Sequence, residues 1–149
     1  MQAAPGTVRS LKIWEKAIQL VESSYRISAV MPIAERFGLI AQIRRAATSV
    51  PANIAEGYGR WSSKEFGRFL AIANGSLREL ETHLIVASRL GFVSKAAVEP
   101  VFARIDELAR MLCGLRIRVS ATIQSANARS TAGPKSNGFP KTGTRNSSF

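Results

Sequence analysis

The chain has 149 residues, 46% of them hydrophobic, which suffices for one buried core, and its formal charge of +11 favours a polyanionic partner, nucleic acid first, without bearing on fold. Its single cysteine, Cys113, excludes an internal disulfide and a cysteine-based metal cluster. No stretch approaches the roughly 18 apolar residues that span a bilayer and the N-terminus lacks an apolar signal core, so a cytoplasmic protein with no membrane contact is expected.

Leu11, Trp14, Ile18, Val21 and Tyr25 recur at spacings of three and four, which predicts a first helix over residues 11–28 with these side chains as its apolar stripe, after a flexible lead of residues 1–10. Pro32 ends that pattern and can open the next element. Leu39, Ile43, Ala46, Val50 and Ile54 keep helical spacing up to Gly57, so the second helix runs through Pro51. A kink is expected near residues 47–51, because an interior proline removes one hydrogen bond and crowds the carbonyl four residues back. Gly57, Tyr58, Gly59 and Arg60 read as the connection that follows.

Ser62 with Glu65 has the capping-box spacing that opens a helix. Phe66, Phe69, Leu70, Ala73, Leu77, Leu80 and Leu84 mark this third helix, and Gly91 supplies the left-handed residue that ends one. Gly67, Ala71 and Gly75 form a separate strip of small residues, read as a tight crossing within the chain in preference to a subunit contact. Ser94 can cap a fourth helix carrying Val98, Phe102, Ile105, Leu108, Leu112 and Leu115, with Pro100 delaying or bending its first turns. After Ala121 the chain turns to Ser, Asn, Gly, Thr and Pro with Arg129, Lys135, Lys141 and Arg145 and no acidic residue, so residues 122–149 are read as a disordered basic tail. Four amphipathic helices on short links bury their stripes only against one another, which predicts an all-α, antiparallel up-down-up-down four-helix bundle over residues 11–121.

Catalytic chemistry has little to work with. The chain has one histidine, His83, and one aspartate, Asp106, and Leu80 stands where a bundle di-iron site needs a glutamate three residues before its histidine. Gly57 and Gly59 with Ser62, Ser63 and Lys64 lack the Gly-Lys-Ser/Thr order of a phosphate loop and follow a helix, not a strand. No catalytic residue, metal or cofactor is expected, and the protein is read as a non-enzyme.

A second strip on the second helix, Gln42, Arg45, Ser49, Asn53 and Glu56, shares one face beside the apolar one. Together with Pro51 it is read, in preference to a direct ligand-binding strip, as a structural polar motif that fixes helix register and satisfies carbonyls freed at the proline, with Glu79 as the candidate partner of Arg45. Arg60, Lys64 and Arg68, four apart, form a basic ridge beside Tyr58 and Trp61, and with Arg44 are the candidate nucleic-acid contacts. The absence of a recognition-helix or zinc-finger pattern points to backbone contacts of low sequence specificity. The alternative is a structural or adaptor protein that docks another protein and uses its charge only for solubility or steering.

Residues 35–60, ERFGLIAQIRRAATSVPANIAEGYGR, closely resemble the signature of the bacterial four-helix bundle proteins that include the 23S rRNA intervening-sequence protein. The resemblance begins at residues 11–17, LKIWEKA, continues through residues 64–81, KEFGRFLAIANGSLRELE, and covers about residues 11–118. The same family includes the accessory protein of diversity-generating retroelements, a pentameric ring of such bundles that binds nucleic acid and a reverse transcriptase. The resemblance therefore implies a homo-oligomer, pentameric, that binds RNA or DNA, and raises a reverse transcriptase as a further partner. The sequence departs from the family pattern at Gly67 and Pro100, and its basic tail lies outside the motif.

Overall fold

Capping side chains and one left-handed glycine set the boundaries of the helices. The structure, a computed structural model, describes residues 6–131. It contains α1 (Lys12–Ala29), α2 (Leu39–Tyr58), α3 (Ser63–Arg89) and α4 (Lys95–Thr131), with single turns of 3-10 helix at Val8–Ser10 and Ile33–Glu35. At the start of α2, Glu35 Oε2 accepts from Leu39 N at 3.1 Å, so a side chain from the preceding turn satisfies an otherwise free N–H. Ser62 Oγ accepts from Glu65 N and Ser94 Oγ from Ala97 N, as their N-cap positions require. At the end of α3, Gly91 has φ +75°, Phe92 N donates to Ala87 O and Gly91 N donates to Ser88 O, the two bonds of a Schellman motif.

Each helix packs on its two neighbours, α1 on α2 and α4, and α3 on α2 and α4. With connections this short, neighbours run antiparallel, and the result is the up-down-up-down four-helix bundle; among the described residues there is no strand. Leu20, Ile43, Ile54, Leu77, Leu84, Ile105 and Leu112 are among the fully buried side chains at its centre. Pro51 is buried inside an α2 that continues unbroken to Tyr58, so Gly57 and Tyr58 belong to the helix and not to the connection. Pro100 is exposed in the second turn of α4 and does not delay its start.

Three expectations change. The buried face of α1 is Ile13, Ala17, Leu20, Ser24 and Ile27, whereas Leu11, Trp14, Ile18 and Val21 are only half-buried and Tyr25 is exposed. The buried face of α1 alternates Ile13, Leu20 and Ile27 with the small Ala17 and Ser24, and the aromatic rings of Trp14 and Tyr25 stay on the flank. The strip Gly67, Ala71, Gly75 is not a tight crossing: Ala71 and Gly75 are exposed, a Cβ at Gly75 would meet nothing within 4 Å, and one at Gly67 would touch only Val119 Cγ1 at 3.6 Å. The close approach is at Gly57, where a Cβ would lie 2.7 Å from Phe69 Cβ and 3.0 Å from Phe66 Cδ2. Finally, α4 continues past Ala121 to Thr131, so residues 122–131 are helical; residues 132–149, the remainder of the expected tail, lie outside the described residues, as do residues 1–5 of the expected flexible lead, whose residues 8–10 form the first turn.

Candidate nucleic-acid interface

The chain direction brings the start of α1, the α2–α3 turn and the far part of α4 to one end of the bundle. Leu11 and Lys12 share a groove with Arg118, and Gly67 lies level with Val119. At this end Arg60, Lys64 and Arg68 are all exposed, and Trp61 beside them is fully so, at 103% of its reference area. Phe69 organises the ridge: the guanidinium carbons of Arg60 and Arg68 each lie 5.6 Å from its ring centroid. Each such contact contributes about 0.5–1 kcal/mol at an exposed site. Tyr58 and Phe66 pack edge to face at 6.2 Å just behind. Read from the sequence as a core position, Phe69 is half-buried and serves as the platform for two arginines.

The ridge is not free charge. Arg60 is paired with Glu56, and Arg68 Nη1 lies 3.3 Å from Glu65 Oε2; Lys64 has no ion pair among the described residues. The Arg60 and Glu56 side chains are 54% and 49% exposed, so their pairing is worth under about 1 kcal/mol and yields readily to a phosphate.

Uncompensated charge sits on α4. Seven basic residues and no acidic one follow Glu107, and four of them, Arg110, Arg116, Arg118 and Arg129, lie on the described helix. Glu107 itself is occupied, with Lys16 Nζ 3.0 Å from its Oε1. The Lys16 hydrogen bond holds the Glu107 carboxyl below its usual range, against desolvation by burial and with help from the charges of Lys16, Lys12 and Arg104. Beyond Ile123, which packs half-buried against the core, the helix leaves it; the side chains of residues 124–131 are all exposed, so α4 carries Arg129 roughly 15 Å past Val119, its last buried residue, at 1.5 Å per residue. The sequence signal for this is the run without acidic residues, together with the absence of glycine and proline between Leu115 and Ala132.

Arg44 stands apart from the ridge. Its Nε donates to Ser28 Oγ at 2.9 Å and its guanidinium lies 4.7 Å from the Tyr25 ring centroid, near the start of α2 and roughly 21 Å along that helix from Tyr58. It ties α2 to α1 at the opposite end of the bundle.

The polar strip of α2 divides into three. Arg45 donates to Gln42 Oε1 through Nε and Nη2, at 3.1 and 2.9 Å, and also pairs with Glu79 of α3, whose Oε1 is 3.5 Å from His83 Nε2. Asn53 Nδ2 donates to Ser49 O and Oγ, and Ser49 Oγ is 2.8 Å from Ser76 Oγ of α3. Glu56 turns away to Arg60. The strip thus links α2 to α3 at two points. The amide of Asn53 reaches the carbonyl of Ser49 and not that of Ala47, the group freed by Pro51, so relief of the proline is not what this network provides. Among the described residues no buried side-chain nitrogen or oxygen lacks a partner. A charge exchange tests the cross-helix contact: Arg45→Glu and Glu79→Arg should each destabilise, and the double variant should recover about 0.2–1 kcal/mol relative to their sum in denaturant unfolding, the range for exposed pairs.

Among the described residues no group of three His, Cys, Asp or Glu side chains converges as a metal site, and no helix is long and apolar enough to cross a membrane. Fold and charge define a class: an all-helical bundle protein with a cluster of exposed basic side chains at one end. The chain belongs to the 23S rRNA-intervening sequence protein family, whose sequence model matches residues 9–114. Arg116, Arg118 and Arg129 lie beyond that match. A search of the curated proteins finds no match.

Proposed function

We propose that this protein is a non-enzymatic, homo-oligomeric nucleic-acid-binding accessory protein that grips the phosphate backbone of RNA or DNA with its basic end. The observation that carries this reading is the convergence of Lys12, Arg60, Lys64, Arg68, Arg118 and Arg129 at one end, beside the exposed Trp61. Clustered cations neutralise phosphates and release counterions, and a projecting indole offers a face on which a base can stack. The family name, which refers to a 23S rRNA intervening sequence, fits an RNA setting. Assembly, with a pentamer as the resemblance implies, is supported by the bulky flank of α1: Trp14, Ile18, Val21 and Tyr25 remain partly open to solvent where a second copy can cover them.

The test is salt. Affinity for single- and double-stranded RNA and DNA should fall linearly on a log–log plot between about 50 and 200 mM salt, with a slope of roughly −0.7 to −0.9 per phosphate contacted. No binding at the low-salt end would overturn the reading. Mass in solution measures the assembly. The adaptor alternative has an observation of its own: Val30, Ile33, Phe37 and Leu90, exposed at the other end of the bundle, offer an apolar surface to a protein partner such as a reverse transcriptase. It is the surviving reading if nucleic acid does not bind.

A further inference from the structure

At the same end of the bundle as the ridge, the start of α1 and the middle of α4 border a groove of about 570 Å³, within the roughly 300–1,000 Å³ of small-ligand clefts. Its lining is of two kinds. Lys12, Arg110 and Arg118 are exposed cations, none with an ion pair among the described residues, while Leu11, Met111 and Leu115 are half-buried apolar side chains. No carboxylate lines it, and Glu107, one turn before Met111, is held by Lys16. Gly114 also borders the groove, and a Cβ there would meet nothing within 4 Å, so the helix backbone is open to an occupant.

Three cations beside an apolar wall fit an anion that carries a flat, weakly polar group. A duplex does not offer one, because its bases are stacked and paired and it presents only phosphates to such a surface; a single strand offers both parts on every nucleotide. Leucine and methionine side chains suit a base ring, the thioether in particular making favourable contacts with aromatic edges. Resting on the proposed function, we infer that this groove receives a nucleotide of a single strand, its phosphate among Lys12, Arg110 and Arg118 and its base against Leu11, Met111 and Leu115, and that the basic end consequently prefers single strands to duplexes.

Two variants of the full-length protein separate the parts of this inference, with circular dichroism confirming that each is folded. Arg110→Ala with Arg118→Ala removes charge. Gly114→Leu keeps the charge, raises helix propensity and fills the groove. Their affinities for a short oligothymidylate and for a duplex of equal length are measured by fluorescence anisotropy at low salt. Wild type should bind the single strand more tightly. Gly114→Leu should weaken single-strand binding about tenfold, toward the low end of the range for one docked base, while changing duplex binding less than about twofold. The arginine variant should weaken both. If Gly114→Leu leaves single-strand affinity at the wild-type value, the groove is not a nucleotide site, although binding by the basic end stands as long as salt dependence persists. If Gly114→Leu instead changes the mass in solution, the groove is a subunit contact and the inference is overturned. Absence of wild-type binding to both probes removes the proposed function along with it.

Discussion

Replacing Arg60, Lys64 and Arg68 together by alanine should flatten the salt dependence of nucleic-acid binding. Three lost phosphate contacts reduce the log–log slope by up to about 2.7 for a duplex and 2.1 for a single strand. Between about 50 and 200 mM salt, wild type should therefore lose roughly 20- to 40-fold more affinity than the triple variant. These are upper bounds, because Arg60 and Arg68 must leave Glu56 and Glu65 to reach a phosphate. The fold should survive the change: all three side chains are exposed, and the pairs and ring contacts removed contribute about 1 kcal/mol each or less. Alanine at Arg26, Arg36 and Arg89, exposed side chains at the other end of the bundle, removes the same formal charge and is the control. If the two triple variants reduce the slope equally, binding follows total charge and the basic end has no special role.

Much of this arrangement is legible in the residues, and the failures share a cause. Helix ends are readable wherever a short polar side chain or a glycine does a local job, as Ser62, Ser94 and Gly91 do, because capping depends on residues within one turn. The phase of α1 is not. A reading that follows bulk selects Trp14, Ile18 and Tyr25, while the core selects Ala17 and Ser24, whose small size matters only once a partner helix lies against them. Arg44 illustrates the same limit: helix periodicity places it on a face, but the hydroxyl and ring that claim it, Ser28 and Tyr25, come from another helix. The length of α4 has a signal in the residues, since 122–131 contain neither glycine nor proline, but Ser, Thr and Asn, weak helix formers, mask it. As for the site, the spacing of four in Arg60, Lys64 and Arg68 gives the ridge, whereas the acid-free stretch after Glu107 shows its meaning only when antiparallel packing brings α4 to the same end.

Glycine placement gives the sharpest test of the packing. Gly57→Ala should destabilise the bundle, although alanine is the better helix former, because its Cβ would sit 2.7 Å from Phe69 Cβ, an atom one bond from the α3 backbone that cannot swing aside. Overpacking of this kind costs about 1–3 kcal/mol, and less than 1 kcal/mol of helix propensity is regained near the end of α2, so the melting temperature should drop by several degrees. The displacement falls on Phe69, which carries Arg60 and Arg68, so nucleic-acid affinity should decline with stability even though no cation is removed. Gly75→Ala should act in the opposite sense. Its site is exposed and empty, and removing a glycine from an exposed helix interior stabilises by up to about 1 kcal/mol. Thermal unfolding of both variants at two protein concentrations checks the pair of signs. A Gly75→Ala variant that melts lower than wild type, and more so on dilution, would show that Gly67, Ala71 and Gly75 face a second copy of the chain, returning that strip to the assembly and leaving Gly57 as the crossing within the bundle.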